Sequence, residues 1–448
     1  MRALHLSLAV LALSLAACGE EAVEEPITTP PTEEPPPPEL PAPPAQNDPA
    51  FAVGKLRAWY LIGNAHTPGH DELAVEVTPP GEVDRIDLWI DGERAGELTP
   101  SGGVYGLSLP IADLAPGEHE VLLAMDASDT AFARLTFFRS HPLYVITTTD
   151  WDDPDNSDES LGFQEQLHTL HPELLLTHFV GPYTFTDPAV TPERKQVLVD
   201  WVKGMRDTFG DEVGLHVHPY CNFVETTPVP CRTSPSLAYA AGDPTGYSVV
   251  LSSYTEEEIE VLFKAADELF IANGLGKPTS FRAGGWSAEA SSLRALASAG
   301  YVADTSAVNW ARLEEWDGLP GTILFDWNKE HWSTIGDTSQ PYYPNETDAQ
   351  SSETPRITLL EVPDNGALVD YVSASEMIGI FDANWPGGAL AQPTQVSVGF
   401  HPPNFNLTYF KRMDLLFNHV DDFLISEDKG PVVYATLSPM TKVWVPSP

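Results

Sequence analysis

Apolar and polar positions follow two different rhythms along the chain. From Phe51 to Ser140 the period is two: Arg85 to Ile90 alternates, Asp91-Gly92 is a turn signal, and Val104 to Leu109 alternates again. Pro116-Gly117 then precedes another alternating run, Glu118 to Met125, and Ala131 to Phe138 follows. Short strands at this spacing predict a β-sandwich of about 90 residues. From Pro142 onward strand-like runs alternate with helical ones. Leu174 to Val180 is followed by Pro192 to Phe209, Glu212 to Val217 by Glu256 to Asn273, and Thr279 to Arg282 by Ala288 to Ala299. Val197, Leu198, Trp201, Val202 and Met205 fall on one predicted helical face, and Ile259, Leu262, Phe263, Ala266 and Phe270 on another. Thr255 with Glu258 has the form of a capping box. Ile357 to Val362, Gln395 to His401, a helix over Leu407 to Ile425, and Val432 to Leu437 complete the series. Repeated βα units predict a parallel barrel or a doubly wound sheet. Ala311 to Pro355, rich in Trp, Asp and Pro, breaks the rhythm and reads as an insertion or lid.

The first 50 residues stand outside both rhythms. Arg2, the apolar run Leu4 to Leu15 and the small-residue close Leu15-Ala16-Ala17-Cys18 have the form of a secretory signal. The closing tetrapeptide resembles the lipobox of bacterial lipoproteins, which implies a lipid on Cys18 and a membrane-tethered protein of the cell envelope. Residues 19–50 are dominated by Pro, Glu, Thr and Ala, with Pro35 to Pro38 consecutive, and read as an extended tether. Domains are thus expected at 1–18 (signal), 19–50 (tether), 51–141 (sandwich) and 142–448 (βα domain). The formal net charge of −42 repels nucleic acid and polyanionic glycans, leaving neutral or cationic partners and a saline habitat open. Of three cysteines, Cys221 and Cys231 remain as an even pair in an oxidising compartment, so a disulfide is expected.

Candidate chemistry collects at the predicted strand ends. Tyr144 to Asp153 runs from β-branched residues into Asp150, Asp152 and Asp153, and three close carboxylates repel unless a cation or shared proton relieves them. His216 and His218, two apart on a strand, share one face. Two imidazoles and one carboxylate form the protein part of a catalytic zinc site. A Cys221–Cys231 bridge would brace the loop that follows. Arg282 precedes Gly284-Gly285-Trp286, and the run Val398 to Pro403 delivers His401. Taken singly, Arg282 reads as an ion pair and Trp286 as a core aromatic.

The segments TTTDWDD, EVGLHVHP, FRAGGW, YVADTS and VGFHP occur in the order of the motifs of the polysaccharide deacetylase (NodB-like carbohydrate esterase) family, which Leu143 to about Leu437 resembles. The resemblance implies a distorted (β/α)7 barrel of NodB type. It also implies metal-dependent hydrolysis of acetyl groups, usually N-acetyl on amino sugars, with Zn2+ as the expected divalent metal. Phe51 to Ser140 resembles bacterial immunoglobulin-like modules, which implies a small all-β Ig-like sandwich ahead of the barrel.

Residue by residue, the resemblance implies Asp150 as general base, Asp152 as metal carboxylate with Asp153 competing, and His216 as first metal histidine. The common pattern has its second histidine four residues later, where this chain has Tyr220, so His218 takes that role. Arg282 is expected to orient the base, Trp286 to wall the acetyl pocket and His401 to be the general acid. A backbone N–H near Tyr220 is expected to face the oxyanion, and Asp304 falls in the most variable motif. Three readings stay open: an acetylated-glycan deacetylase, a hydrolase of another amide or ester, and a non-catalytic glycan-binding surface protein. A two-histidine, one-carboxylate oxygenase is disfavoured by the βα alternation.

Overall fold

The computed structural model describes residues 39–126, 128–239, 242–314 and 323–446. The signal, Cys18 and most of the tether lie outside the described residues, while Leu40–Pro448 forms one compact unit. Among the described residues no helix is long and apolar enough to cross a membrane.

The period-two region builds two sheets. β1 (Ala52–Gly54), β3 (Glu72–Thr78), β6 (Thr99–Ser101) and β7 (Val104–Pro110) form one in the order β1-β3-β7-β6. β2 (Trp59–Leu61), β4 (Ile86–Ile90), β5 (Glu93–Glu97), β8 (Gly117–Met125) and β9 (Ala133–Ser140) form the other in the order β2-β9-β8-β4-β5. The expected Asp91-Gly92 turn joins β4 to β5, both residues at positive φ (51° and 85°). Leu73, Val75 and Val77 of β3 and Leu88, Val121 and Leu123 of the facing sheet bury one common core. The packed chain begins ahead of Phe51, because Ala42 and Asp48 hydrogen-bond to the backbone at 129–132.

A third sheet, parallel throughout, follows: β10 (Leu143–Asp150), β11 (Leu176–Val180), β12 (Glu212–Val217), β13 (Ser280–Ala283), β14 (Ala303–Asp304), β15 (Leu360–Glu361), β16 (Thr394–Phe400) and β17 (Val432–Ala435). Its order is β15-β14-β13-β12-β11-β10-β16. On β10, residues Leu143–Thr149 pair with β16; on the other edge β17 takes Leu143–Ile146 and β11 takes Thr147–Asp150. The sheet is curled, and the irregular segment 364–369 hydrogen-bonds to Ser397 and Gly399 of β16 and to Ala307 after β14, bridging its two ends. β15 is shorter than the run Ile357 to Val362 predicted, because 362–369 leaves the strand path to make that bridge.

The helices are α1 (Asp158–Leu170), α2 (Tyr183–Thr186), α3 (Pro192–Phe209), α4 (Cys221–Val224), α5 (Glu256–Ala272), α6 (Ala290–Ala299), α7 (Trp310–Glu314), α8 (Ile323–Trp332), α9 (Ala374–Asn384) and α10 (Leu407–Asp421). α5 starts at the Thr255/Glu258 capping box and buries its whole predicted face. On α3 the buried stripe is rotated from the predicted face: Leu198, Val199, Val202 and Met205 are buried, but Val197 is 49% exposed.

The two β systems are locked together. Trp59 of β2 stacks on Phe138 and packs edge-on against Trp385 after α9. Asp428 accepts the N–H groups of Ala58 and Trp59 at 2.8 and 2.9 Å, while Tyr144 of β10 bonds Asn64 and Thr67. The sandwich therefore braces the N-terminal end of β10, whose other end carries the acid cluster.

Candidate active site

Strand ends converge here as the βα alternation requires. Thr147 to Thr149 are fully buried in β10, and the chain then turns tightly, Asp152 N–H donating to Asp150 O at 3.0 Å. His216 lies in β12 and His218 one residue past Val217, on the same face by strand alternation. Asp150, Asp152, His216, His218, Trp286 and His401 all line one cavity of about 70 Å³ at this end of the sheet. Larger hollows exist, one of about 490 Å³ on the sandwich, but it is lined by Asp71, Glu72 and Ser108 with no histidine.

Asp152, His216 and His218 can bring one ligand atom each within 4.8 Å of the others. His216 Nδ1 donates to Arg282 O and His218 Nδ1 to Tyr247 O, both at 2.9 Å. Carbonyl oxygens only accept, so each Nδ1 carries a proton, and in a ring with that single proton Nε2 presents its lone pair. Those two nitrogens lie 3.0 and 3.3 Å from Asp152 Oδ1, itself an acceptor. Three lone-pair donors aimed at one point repel unless a cation sits among them or protons are taken up. The donor set, two imidazoles and one carboxylate, fits zinc or a similar divalent ion. Gly284 makes room for this arrangement: a Cβ there would lie 2.5 Å from the His218 ring.

Two further charged pairs flank the triad. Arg282, fully buried, reaches Asp150 Oδ1 and Oδ2 at 3.1 and 3.2 Å and is held by Thr148 Oγ1, Thr305 O and Thr305 Oγ1. Asp364 Oδ2 lies 3.4 Å from its other terminal nitrogen and accepts the Trp286 indole N–H at 3.2 Å. Burial pushes the Asp364 carboxyl up to about 6, with Arg282 opposing. On the opposite wall, His401 Nδ1 is 3.0 Å from Asp370 Oδ2 and Nε2 is 3.6 Å from Asp152 Oδ2. Burial alone would lower the imidazole, but Asp152 and Asp370 outweigh it and raise it to about 10.

No family model and no curated protein matches this sequence. Solved structures that resemble it include polysaccharide deacetylases. A family 4 carbohydrate esterase from Streptomyces lividans in complex with acetate is 12% identical, covering 69% of this chain and 100% of that one, TM-score 0.34. The peptidoglycan deacetylase PdaC from Bacillus subtilis is 12% identical over 67% and 91%, TM-score 0.28. A 4-alpha-glucanotransferase from Thermococcus litoralis is 11% identical over 68% and 41%, TM-score 0.38.

Asp153 stays outside the ligand cluster, its side chain exposed, and its carboxyl is raised by partial desolvation and then by Asp152. The Tyr220 amide is not free for an oxyanion: it donates to His218 O at 2.8 Å, and the hydroxyl to Asp152 O at 3.2 Å. Asp304 lies off the cavity, bonded to Ser306 and facing Glu361 across the sheet. The Cys221–Cys231 disulfide is formed. Sequence reasoning missed Tyr239, Tyr247, Leu324 and Tyr371 of the lining, and the carboxylates of Asp364 and Asp370. Asp364 closes the predicted strand Ile357 to Val362, so the strand-end rule that selected Asp150 also reaches it.

Proposed function

We propose that this chain is a metal-dependent hydrolase that removes acetyl groups, N-acetyl foremost, from a polysaccharide, and that a lipid on Cys18 tethers it to a membrane of the cell envelope. One observation carries the reading: paired Nε2 lone pairs facing Asp152 share a cavity with an arginine-held carboxylate and a carboxylate-held histidine. A binding protein has no use for both an acid and a base beside a ligand cluster. Asp152, His216 and His218 hold the ion, which when bound supplies Lewis-acid polarisation of the acyl carbonyl. Asp150, held and aimed by Arg282 at 3.1 and 3.2 Å, takes the proton of the attacking water. His401, protonated between Asp370 and Asp152, gives a proton to the leaving amine, without which an amine departs very slowly. Trp286, its indole fixed by Asp364, walls the acyl group. A cavity of about 70 Å³, more than one water needs, has room for a small acyl group. The sugar then stays at the mouth.

The test is elemental analysis of Leu40–Pro448 beside His216→Ala and His218→Ala, followed by acetate release from acetylated glycans. About one equivalent of zinc or a similar ion, lost in both variants, together with acetate release, is the expected result. A wild-type protein that takes up no divalent ion even on reconstitution refutes the hydrolase. Cys18→Ser, expected to shift the protein from the membrane to the soluble fraction, tests the anchor.

A further inference from the structure

Tyr247 touches both halves of the ligand cluster through three separate groups. Its carbonyl accepts the His218 Nδ1 proton at 2.9 Å, its ring stacks on the His218 imidazole at 4.2 Å between centroids, and its hydroxyl donates to Asp152 Oδ2 at 2.9 Å. The last contact leaves Oδ1 as the oxygen that both histidines face.

The loop that delivers Tyr247 is built rather than draped. Asp243 accepts from Thr245 N and Oγ1 and from Ser248 N and Oγ, at 2.6 to 3.0 Å. Thr245 O accepts the Cys221 N–H at 2.6 Å. Between these anchors Gly246, at φ +82°, lies flat against the disulfide: a Cβ there would be 2.6 Å from Pro219 O, 3.1 Å from Cys231 Sγ and 3.2 Å from Cys221 Sγ. The bridge thus forms the floor on which Gly246 rests, one residue before Tyr247.

We propose that Tyr247 is a positioning residue for the metal ligands and that the Cys221–Cys231 bridge sets metal affinity through it, by fixing the loop height at Gly246. The proposal rests on the metal-site reading above. Groups that orient metal ligands typically contribute 10- to 100-fold to affinity. Zinc affinity is therefore measured by chelator competition for wild type, Tyr247→Phe, Gly246→Ala and the Cys221→Ser/Cys231→Ser pair, with melting of the metal-free protein measured alongside. Tyr247→Phe keeps the ring and carbonyl and loses only the bond to Asp152. It is expected to weaken zinc binding about 10-fold or more while metal-free melting is unchanged.

The cysteine pair is expected to weaken binding to a similar degree, and Tyr247→Phe to add little on that background, because both act through one contact. Should the cysteine pair fail to fold, Gly246→Ala raises the loop with the bridge intact and reads the same effect. Tyr247→Phe within twofold of wild type overturns the positioning role. Gly246→Ala and the cysteine pair each within twofold overturn the link to the bridge. Both of those results leave the site itself standing, since His216→Ala still loses zinc. A wild type that binds no zinc overturns the site and the proposal together.

Discussion

Arg282→Met is the most informative single perturbation of the fold beneath the site. The guanidinium is 0% exposed and lies between two carboxylates, Asp150 at 2% and Asp364 at 0%. Methionine fills much of the volume but strands both anions and leaves Thr305 O and two threonine hydroxyls short of a donor. Breaking a buried ion pair by removing one partner costs about 3–5 kcal/mol. Two stranded anions would cost more, but Asp364, already pushed up to about 6, takes a proton near neutrality for only about 1.4 kcal/mol per pH unit. The expected loss is therefore still about 3–5 kcal/mol, a large share of the roughly 5–15 kcal/mol that holds a protein folded.

The assay is urea unfolding of the metal-free protein at neutral pH. Arg282→Lys keeps the charge without the planar fork and falls between wild type and Met. In Arg282→Met the stranded carboxyls keep their protons to higher pH in the folded state than in the unfolded chain. The deficit must therefore grow as pH rises from about 4 to 8, and shrink as acid restores the neutral forms. Asp364→Asn on the Met background recovers part of it. A loss under about 1 kcal/mol, or a deficit that grows on acidification, refutes the account of Arg282 as the counter-ion of a two-carboxylate site.

His401→Ala should lower kcat by orders of magnitude with metal content unchanged, and normal turnover would remove His401 from the mechanism. Asp370→Asn takes away one of the carboxylates that raise His401, so the alkaline limb of kcat moves to lower pH; an unmoved limb clears Asp370 of that role. Asp428→Ala deprives the Ala58 and Trp59 amides of their acceptor and is expected to cost about 1–2 kcal/mol, read as earlier proteolysis between the sandwich and the parallel-sheet region. Thr255→Ala breaks the capping box of α5 and should cost about 1 kcal/mol in thermal unfolding.

Residues whose position follows from strand periodicity were legible in the sequence. His216 and His218 share a face because a strand repeats every two residues, and Asp150 and His401 sit where parallel strands end. Thr255 was legible as a cap because capping is local chemistry. Tyr247, Tyr239 and Tyr371 were not, because they arrive on irregular segments whose paths are fixed by the disulfide, by Asp243 and by the bridge at 364–369. Val197 points outward because the buried stripe of α3 is rotated toward Val199, a rotation that helical spacing alone does not fix. The Tyr220 amide escaped for a related reason: the tight turn back to His218 O cannot be read from residue types.

The placement of His216 on β12 and of His218 just past its end ties metal capture to strand alignment. Sliding β12 by one residue against β11 and β13 would turn His216 and His218 to the far face together and bring Leu215 and Val217 to the cavity. No half-correct alignment keeps one imidazole in place. An ion taken up by this pair therefore certifies that three neighbouring strands are in step, and metal present during refolding should enrich the correctly registered sheet over its slipped competitors.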